Sequence, residues 1–218
     1  MTPPPCDRVL SLLPGKQLVR ESRWMRVYRL EEKCFYYESK FLTDGLQLTE
    51  DELRREWDGF TPEEKCEFAL AYNAKANIST EDHKILQYLM EAGSDEIWPN
   101  IALALTRLPD KDRVLAFLIA RIEGTRYSPN YLQALEVLAD PRAVEALTRS
   151  FHALQTRISA AGEALTDESS RALHNFLYCC RALVKLAGSK EATAALDRME
   201  SFPDERIQEI AKRLKSGI

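Results

Sequence analysis

Shifted by thirty residues, the middle of this chain falls on itself. Pro99-Asn100 lands on Pro129-Asn130, Ala104-Leu105 on Ala134-Leu135, and Leu108 on Leu138. Asp110, Val114 and Ala116 then land on Asp140, Val144 and Ala146. The shared pattern is P-N-x3-A-L-x2-L-x-D-x3-V-x-A. A degenerate third copy starts at Ala182-Leu183, passes Leu186-Ala187-Gly188 and runs into EATAAL. Self-similarity at a fixed period of this size is the mark of a repeat architecture. The unit it predicts is a helix–turn–helix. Ala and Leu of the first helix let the next unit approach closely. The Asp closes the turn and accepts free amides at the positive start of the second helix. One such pair cannot bury both of its faces, so neighbours must stack.

Punctuation along the rest of the chain also predicts helices. Thr49-Glu-Asp-Glu52 and Thr61-Pro-Glu-Glu64 are capping boxes, the second with Pro62 at the first helical position. Ser79-Thr-Glu-Asp82 opens another helix less strictly. Gly93, Gly124 and Gly188 stand just past helical runs, where a left-handed cap is wanted. The expected helices are 49–58, 62–76, 80–91, 95–108, 111–123, 129–139, 142–162, 167–187, 189–200 and 204–215. Short connections make successive helices antiparallel. Each carries an apolar stripe: Val144, Leu147, Phe151, Leu154 and Ile158 step by three and four, with Arg142, Glu145, Arg149 and His152 on another face. Residues 16–48 support two readings. WMRVYR suits a strand with Trp24, Arg26 and Tyr28 on one side and Met25, Val27 and Arg29 on the other. FYYESKFL, Thr43-Asp44-Gly45 and LQL then make a hairpin. Leu18, Met25, Tyr28 and Phe35 also fit a helix loosely.

The stretch LEVLADPRAVEALTRSF carries a family resemblance. Its core, A-L-x2-L-x-D-P-R-A-V-x-A-L from Ala134 to Leu147, resembles the short HEAT-like repeats first described in phycobilisome lyase subunits. The likeness covers residues 95–200, and the earlier helices only by architecture. The neighbouring unit departs from it, with Lys111 where the proline stands and Arg113 where the alanine stands. The resemblance implies an all-α, right-handed α-α superhelix. Residues 1–48 form an irregular or partly β cap, and 49–218 the repeat domain. It implies a concave surface lined by second helices, and binding rather than catalysis.

Composition narrows the chemistry. Hydrophobic residues make up 45% of the 218, charged residues 29%, and glycines number only eight, a helix-forming balance. The net charge of −4 and pI near 5.6 lower the odds of a phosphate-tracking face. Five cysteines, Cys6, Cys34, Cys66, Cys179 and Cys180, show no framework spacing, and the N-terminus lacks a signal-peptide pattern. The expectation is a soluble cytoplasmic protein with reduced thiols, no membrane span, no cofactor and no metal. There is no nucleophile elbow and no phosphate loop. Pro14-Gly15-Lys16-Gln17 lacks the glycine and hydroxyl that such a loop needs. His174, Cys179 and Cys180 share a helix at spacings that do not converge, and Asp82-His83 fits a cap beside a surface histidine.

Two groups of residues remain as candidates. On the second helices, Arg113, Arg121, Arg142, Glu145, Arg149 and His152 project from apolar-striped helices with no core role. These are the expected contacts to a protein partner. In the N-terminal third, Arg20, Arg23, Arg26 and Arg29 recur every third residue with Trp24 and Tyr28 interleaved. This block fits a solenoid cap whose arginines pair with the acidic segment 44–64, a protein-binding patch, or a phosphate- and base-holding site. Two further readings by family analogy stay open: a DNA-binding or alkylpurine-glycosylase-like protein using Trp57-Asp58 and Trp98, and a chaperone-like or lyase-like client binder. The sequence leaves the oligomeric state and the partner unnamed.

Overall fold

A computed structural model describes residues 17–31, 34–75, 77–123, 128–161 and 166–217. Helix dominates, preceded by a small antiparallel sheet. The leading prolines, the Pro14-Gly15-Lys16 turn and the Gly124 cap lie outside the described residues. The described residues fall into two units divided between Ala104 and Leu105.

The first unit opens with strands β1 (Gln17–Glu21), β2 (Met25–Glu31) and β3 (Cys34–Ser39), in spatial order β1-β2-β3. The helical reading of this segment is therefore replaced by the strand reading. The reason lies in alternation: Met25 and Val27 are buried while Arg26 and Tyr28 are half-buried. The first turn is built by Ser22, whose hydroxyl accepts the backbone N–H groups of Trp24 and Met25 at 3.3 and 3.1 Å. The expected hairpin at Thr43-Asp44-Gly45 is corrected. The partner of β3 is β2, with Arg26 opposite Glu38 and Tyr28 opposite Tyr36. Thr43-Asp44-Gly45 instead follows a single helical turn, α1 (Lys40–Thr43). Gly45, at φ +62°, turns the chain so that Leu46 N–H reaches the Lys40 carbonyl.

Helices α2 (Glu50–Trp57), α3 (Pro62–Asn73), α4 (Thr80–Ala92) and α5 (Trp98–Leu105) follow. Thr49, Thr61 and Ser79 each accept the backbone N–H of the third helical residue, whose side chain caps in return. The sheet is fixed to α3 by aromatic packing. Trp24 stacks on Phe41 and meets Phe68 edge-on at 5.0 Å, and Phe41 meets Tyr72 edge-on at 5.1 Å. Gly93 does not take the expected left-handed form; its φ is −74°. Its glycine requirement comes from two close neighbours, the Leu89 carbonyl and Trp98, whose indole N–H donates to that carbonyl at 3.1 Å. A Cβ on Gly93 would stand 2.5 Å from the Leu89 oxygen and 2.6 Å from the indole nitrogen.

The second unit contains α6 (Lys111–Ile122), α7 (Pro129–Leu138), a 3₁₀ turn (Pro141–Ala143), α8 (Val144–Ala161), α9 (Asp167–Ala187), α10 (Lys190–Met199) and α11 (Glu205–Ser216). Helix α7 packs on α6 and α9, α8 on α6 and α9, and α9 also on α10 and α11. The repeat aspartates do cap second helices: Asp110 accepts Arg113 N–H at 3.0 Å and Asp140 accepts Arg142 N–H at 2.9 Å. Ser189 caps α10, one residue past the place of Asp140 in the third copy, which Gly188 holds. The phase differs in one respect. Buried Val114, Leu118 and Ile122 correspond to buried Ala143, Leu147 and Phe151, a shift of twenty-nine, not thirty. Ala116, aligned with buried Ala146, is exposed. The 3₁₀ turn after Asp140 winds more tightly than the start of α6 and advances the inward face by one residue.

Two of these helices end in left-handed residues, Ala139 at φ 53° and Gly188 at φ 59°. Neither is crowded into it: Ala139 is exposed, and a Cβ on Gly188 would meet nothing within 4 Å. Backbone preference alone then decides the effect of exchange. Ala139→Gly is expected to stabilise by up to about 1 kcal/mol and Gly188→Ala to destabilise by about the same. Thermal unfolding should show midpoints moved in opposite directions by about 2–4 °C. Movement in the same direction would contradict the assignment.

Candidate functional site

The exposed side of α6 and α8 gathers most of the second-helix candidates. Alternation of stripe and face does the positioning: Leu147, Phe151 and Leu154 are buried, so Arg142, Glu145, Arg149 and His152 are left outward and exposed. Arg142 is held by its own cap. Its Nε donates to Asp140 Oδ1 at 3.0 Å and its Nη2 to Asp140 Oδ2 at 2.6 Å. The same Nη2 also donates to Asp112 Oδ1 of α6 at 2.6 Å. Arg149 repeats the arrangement, with Nη1 to Glu145 Oε1 at 2.5 Å and Nη2 to Glu123 Oε1 at 2.6 Å. These bonds pull the Asp140 carboxyl below its usual range and push both guanidinium groups up. Both arginines thus bridge from α8 or its leading turn back to α6 or its C-terminal cap. Arg121 lies half-buried with its guanidinium 4.6 Å from the Phe117 ring centre. Arg113 is exposed at the start of α6. His152 is exposed beside Phe151.

Sequence reasoning missed Asp112 and Glu123. A signal for the first was present: the thirty-residue shift lays Asp112 on Arg142, opposite charges at equivalent places in adjacent units.

The N-terminal block is arranged differently. Arg20 pairs with Glu67 of α3, and Arg23 with Glu56 of α2 while lying 4.4 Å from the Trp24 ring centre. Arg26 donates twice to Asp44, at 2.8 and 2.6 Å, and pairs with Glu21. The hydrogen bonds from Arg26 hold the Asp44 carboxyl below its usual range. Trp24 is buried at the centre of the aromatic packing. Tyr28 sits half-buried 6.3 Å from Tyr36, with its hydroxyl pushed up by burial and by a hydrogen bond to Glu38. Arg29 is exposed. Trp57 is buried against Phe60, Phe68 and Tyr88, and Trp98 is half-buried over Gly93.

The thiols and histidines go elsewhere. Cys179 donates to Leu147 O of α8 at 3.3 Å, and burial pushes its thiol up to about 12. Burial likewise raises Cys180. His174 Nδ1 lies 3.0 Å from the Ser170 carbonyl of its own helix. Among the described residues, no three His, Cys, Asp or Glu side chains gather as a metal site, and no helix is long and apolar enough to cross a membrane. Comparison with family models, curated proteins and solved structures finds no match for this chain.

Asp82 is more than a cap. Its Oδ2 accepts the Ser79 N–H at 2.7 Å and hydroxyl at 2.8 Å, and its Oδ1 accepts from the Tyr72 hydroxyl and from Lys75 Nζ at 2.7 Å. Burial alone would raise this carboxyl. The Lys75, Tyr72 and Ser79 bonds together outweigh it and bring it to about 2. A depressed folded value stabilises fully above the unfolded value, about 3.9, and is lost as pH falls through that value toward the folded one. Asp82→Ala should therefore destabilise by roughly 3 kcal/mol at neutral pH. Urea unfolding should show the deficit narrowing as pH falls from about 4 to about 2. A deficit independent of pH would contradict this cluster.

Proposed function

We propose that this chain is a non-enzymatic protein-binding scaffold, that its second unit is a short HEAT-like stack, and that its binding face is the exposed side of α6 and α8. The observation that carries this reading is the split on α8: one stripe is hidden, and the opposite stripe is a ladder of outward charges from two neighbouring helices. The packing order adds support. Second helices α6 and α8 are neighbours, as are first helices α7 and α9, and Asp110, Asp140 and Ser189 each begin a second helix. Extended stacked-helix surfaces bind partners along such a face.

A nucleic-acid reading draws less support. Arg20, Arg23 and Arg26 engage carboxylates, and Trp24 and Trp57 are spent in the interior. Stacking of bases needs aromatic faces open to solvent.

The direct test is charge reversal at two exposed positions. Solvent-exposed ion pairs add little to stability, so Arg142→Glu with Arg149→Glu should leave a folded protein. Quantitative mass spectrometry of material captured from the source cells is expected to show roughly tenfold less of the principal partner on the variant, the loss of a rim-type contact pair. An unchanged set of captured proteins at unchanged amounts would end the assignment of this face.

A further inference from the structure

The strand register gathers an unusual set of side chains on one side of the sheet. Arg20, which faces Val27 across the β1–β2 pairing, reaches Glu67 of α3, so the Val27 side looks toward that helix. The alternate residues form the other side. On it, Leu18, Tyr28 and Tyr36 make one row across the three strands, and Glu21, Arg26 and Glu38 make the next. Leu18 is 47% exposed, Glu21 is exposed, and Arg26, Tyr28 and Tyr36 are half-buried, as suits an outer side. Glu38 is the exception, at only 8% exposed. Its Oε2 is sealed from solvent and accepts no hydrogen bond.

The neighbouring charges leave Glu38 unmatched. Arg26 commits its donors to Asp44 and Glu21, and Lys40 pairs with Glu21 at 2.6 Å. Among the described residues Glu38 forms no ion pair. It takes the Tyr28 hydroxyl, and Arg26 interacts with it less strongly than with Asp44 and Glu21. Three carboxylates here thus share two cations. A buried carboxylate oxygen without a donor is costly, and such a group calls for a functional explanation.

We infer that Glu38, Tyr28 and Tyr36 form a site for an organic ammonium group, the chemistry of a lysine side chain or a small alkylamine. The two tyrosine ring centres lie 6.3 Å apart with their planes tilted by 37°, so one cation can contact both rings. Glu38 supplies the countercharge, and its Oε2 gains the donor it lacks. The half-buried tyrosine side chains turn fast enough to admit the ammonium to the carboxylate. Leu18 continues the aromatic row and gives the carbon chain an apolar rest. A compact ammonium suits a carboxylate that turns one oxygen inward, whereas a guanidinium fork wants both oxygens side by side. A metal ion draws less support, because among the described residues no three His, Cys, Asp or Glu side chains gather here. The site lies in the first unit and stands independently of the scaffold reading of α6 and α8.

The test is an NMR titration of the full chain at neutral pH and low ionic strength, following the tyrosine ring signals. The probes are n-butylammonium, its neutral counterpart n-butanol, and a Gly-Lys-Gly tripeptide blocked at both ends. Butylammonium is expected to move the Tyr28 and Tyr36 signals saturably, with butanol at least tenfold weaker. Glu38→Gln should weaken butylammonium at least tenfold. It should also leave the thermal midpoint unchanged or higher, because it removes an uncompensated buried charge. A merely structural Glu38 predicts the opposite pair of results, a lower midpoint and an unchanged titration. Tyr36→Leu keeps the apolar row and should weaken butylammonium several-fold without weakening butanol. Tighter binding of the tripeptide than of butylammonium assigns the site to a protein lysine, and the reverse assigns it to a small amine. No saturation by either amine, an equal response to butylammonium and butanol, or wild-type binding by Glu38→Gln overturns the inference, as does a lowered midpoint in that variant.

Discussion

The second unit depends on the burial of one helix. Asp167–Ala187 packs on four others, and Leu173, Leu177, Cys179, Cys180, Ala182 and Leu183 are all within its hidden surface. A helix that presents so much apolar side chain is unstable in water unless neighbours cover it. Each neighbour in turn has one stripe to hide. The twin cysteines belong to this arrangement: about 100° apart around the axis, they serve two packing directions as small apolar groups. Their raised thiol values are a consequence of that burial, and they make the pair unreactive rather than catalytic.

Caps settle where each helix begins, and thereby which side faces inward. Asp110 leads straight into a helix; Asp140 leads into a tighter 3₁₀ turn first. That difference moves the buried positions by one residue relative to the sequence repeat. It also carries Arg142 to a place where its own capping aspartate and the Asp112 carboxylate of α6 are both in reach. Capping, packing phase and surface charge are therefore one connected choice, made within a few residues of Asp140.

Much of this was legible in the sequence because caps act locally. Thr49, Thr61 and Ser79, with Glu52, Glu64 and Asp82 three residues on, need only their own turn to declare a helix start. Gly188 likewise declared its left-handed end. The misreadings arose where distant residues decide. Gly93 is required by the Leu89 carbonyl beside it and by an indole five residues later folding back over it, not by its own φ. The segment 17–39 is a sheet whose Met25 and Val27 are buried and whose neighbouring Trp24 meets Phe68 of α3 across an intervening loop, and Thr43-Asp44-Gly45 ends a helical turn instead of closing a hairpin. At the candidate face, the outward residues followed from the α8 stripe, but the second carboxylate on each arginine comes from another helix. Only Asp112, through its place in the repeat, left a trace of that pairing. The Tyr72–Lys75–Asp82 cluster left none beyond the cap, since Tyr72 joins it from the preceding helix.

Mutual coverage holds the second unit together: its helices hide one another's apolar sides and are stable only together. Native-state hydrogen exchange on the wild type and Leu177→Ala tests this most directly, because Leu177 is wholly buried. A large-to-small change there should cost about 2–5 kcal/mol. Coverage predicts that protection falls together in Pro129–Leu138, Val144–Ala161, Lys190–Met199 and Glu205–Ser216 as well as in Asp167–Ala187. A loss confined to Asp167–Ala187, with its neighbours exchanging as slowly as before, would contradict it.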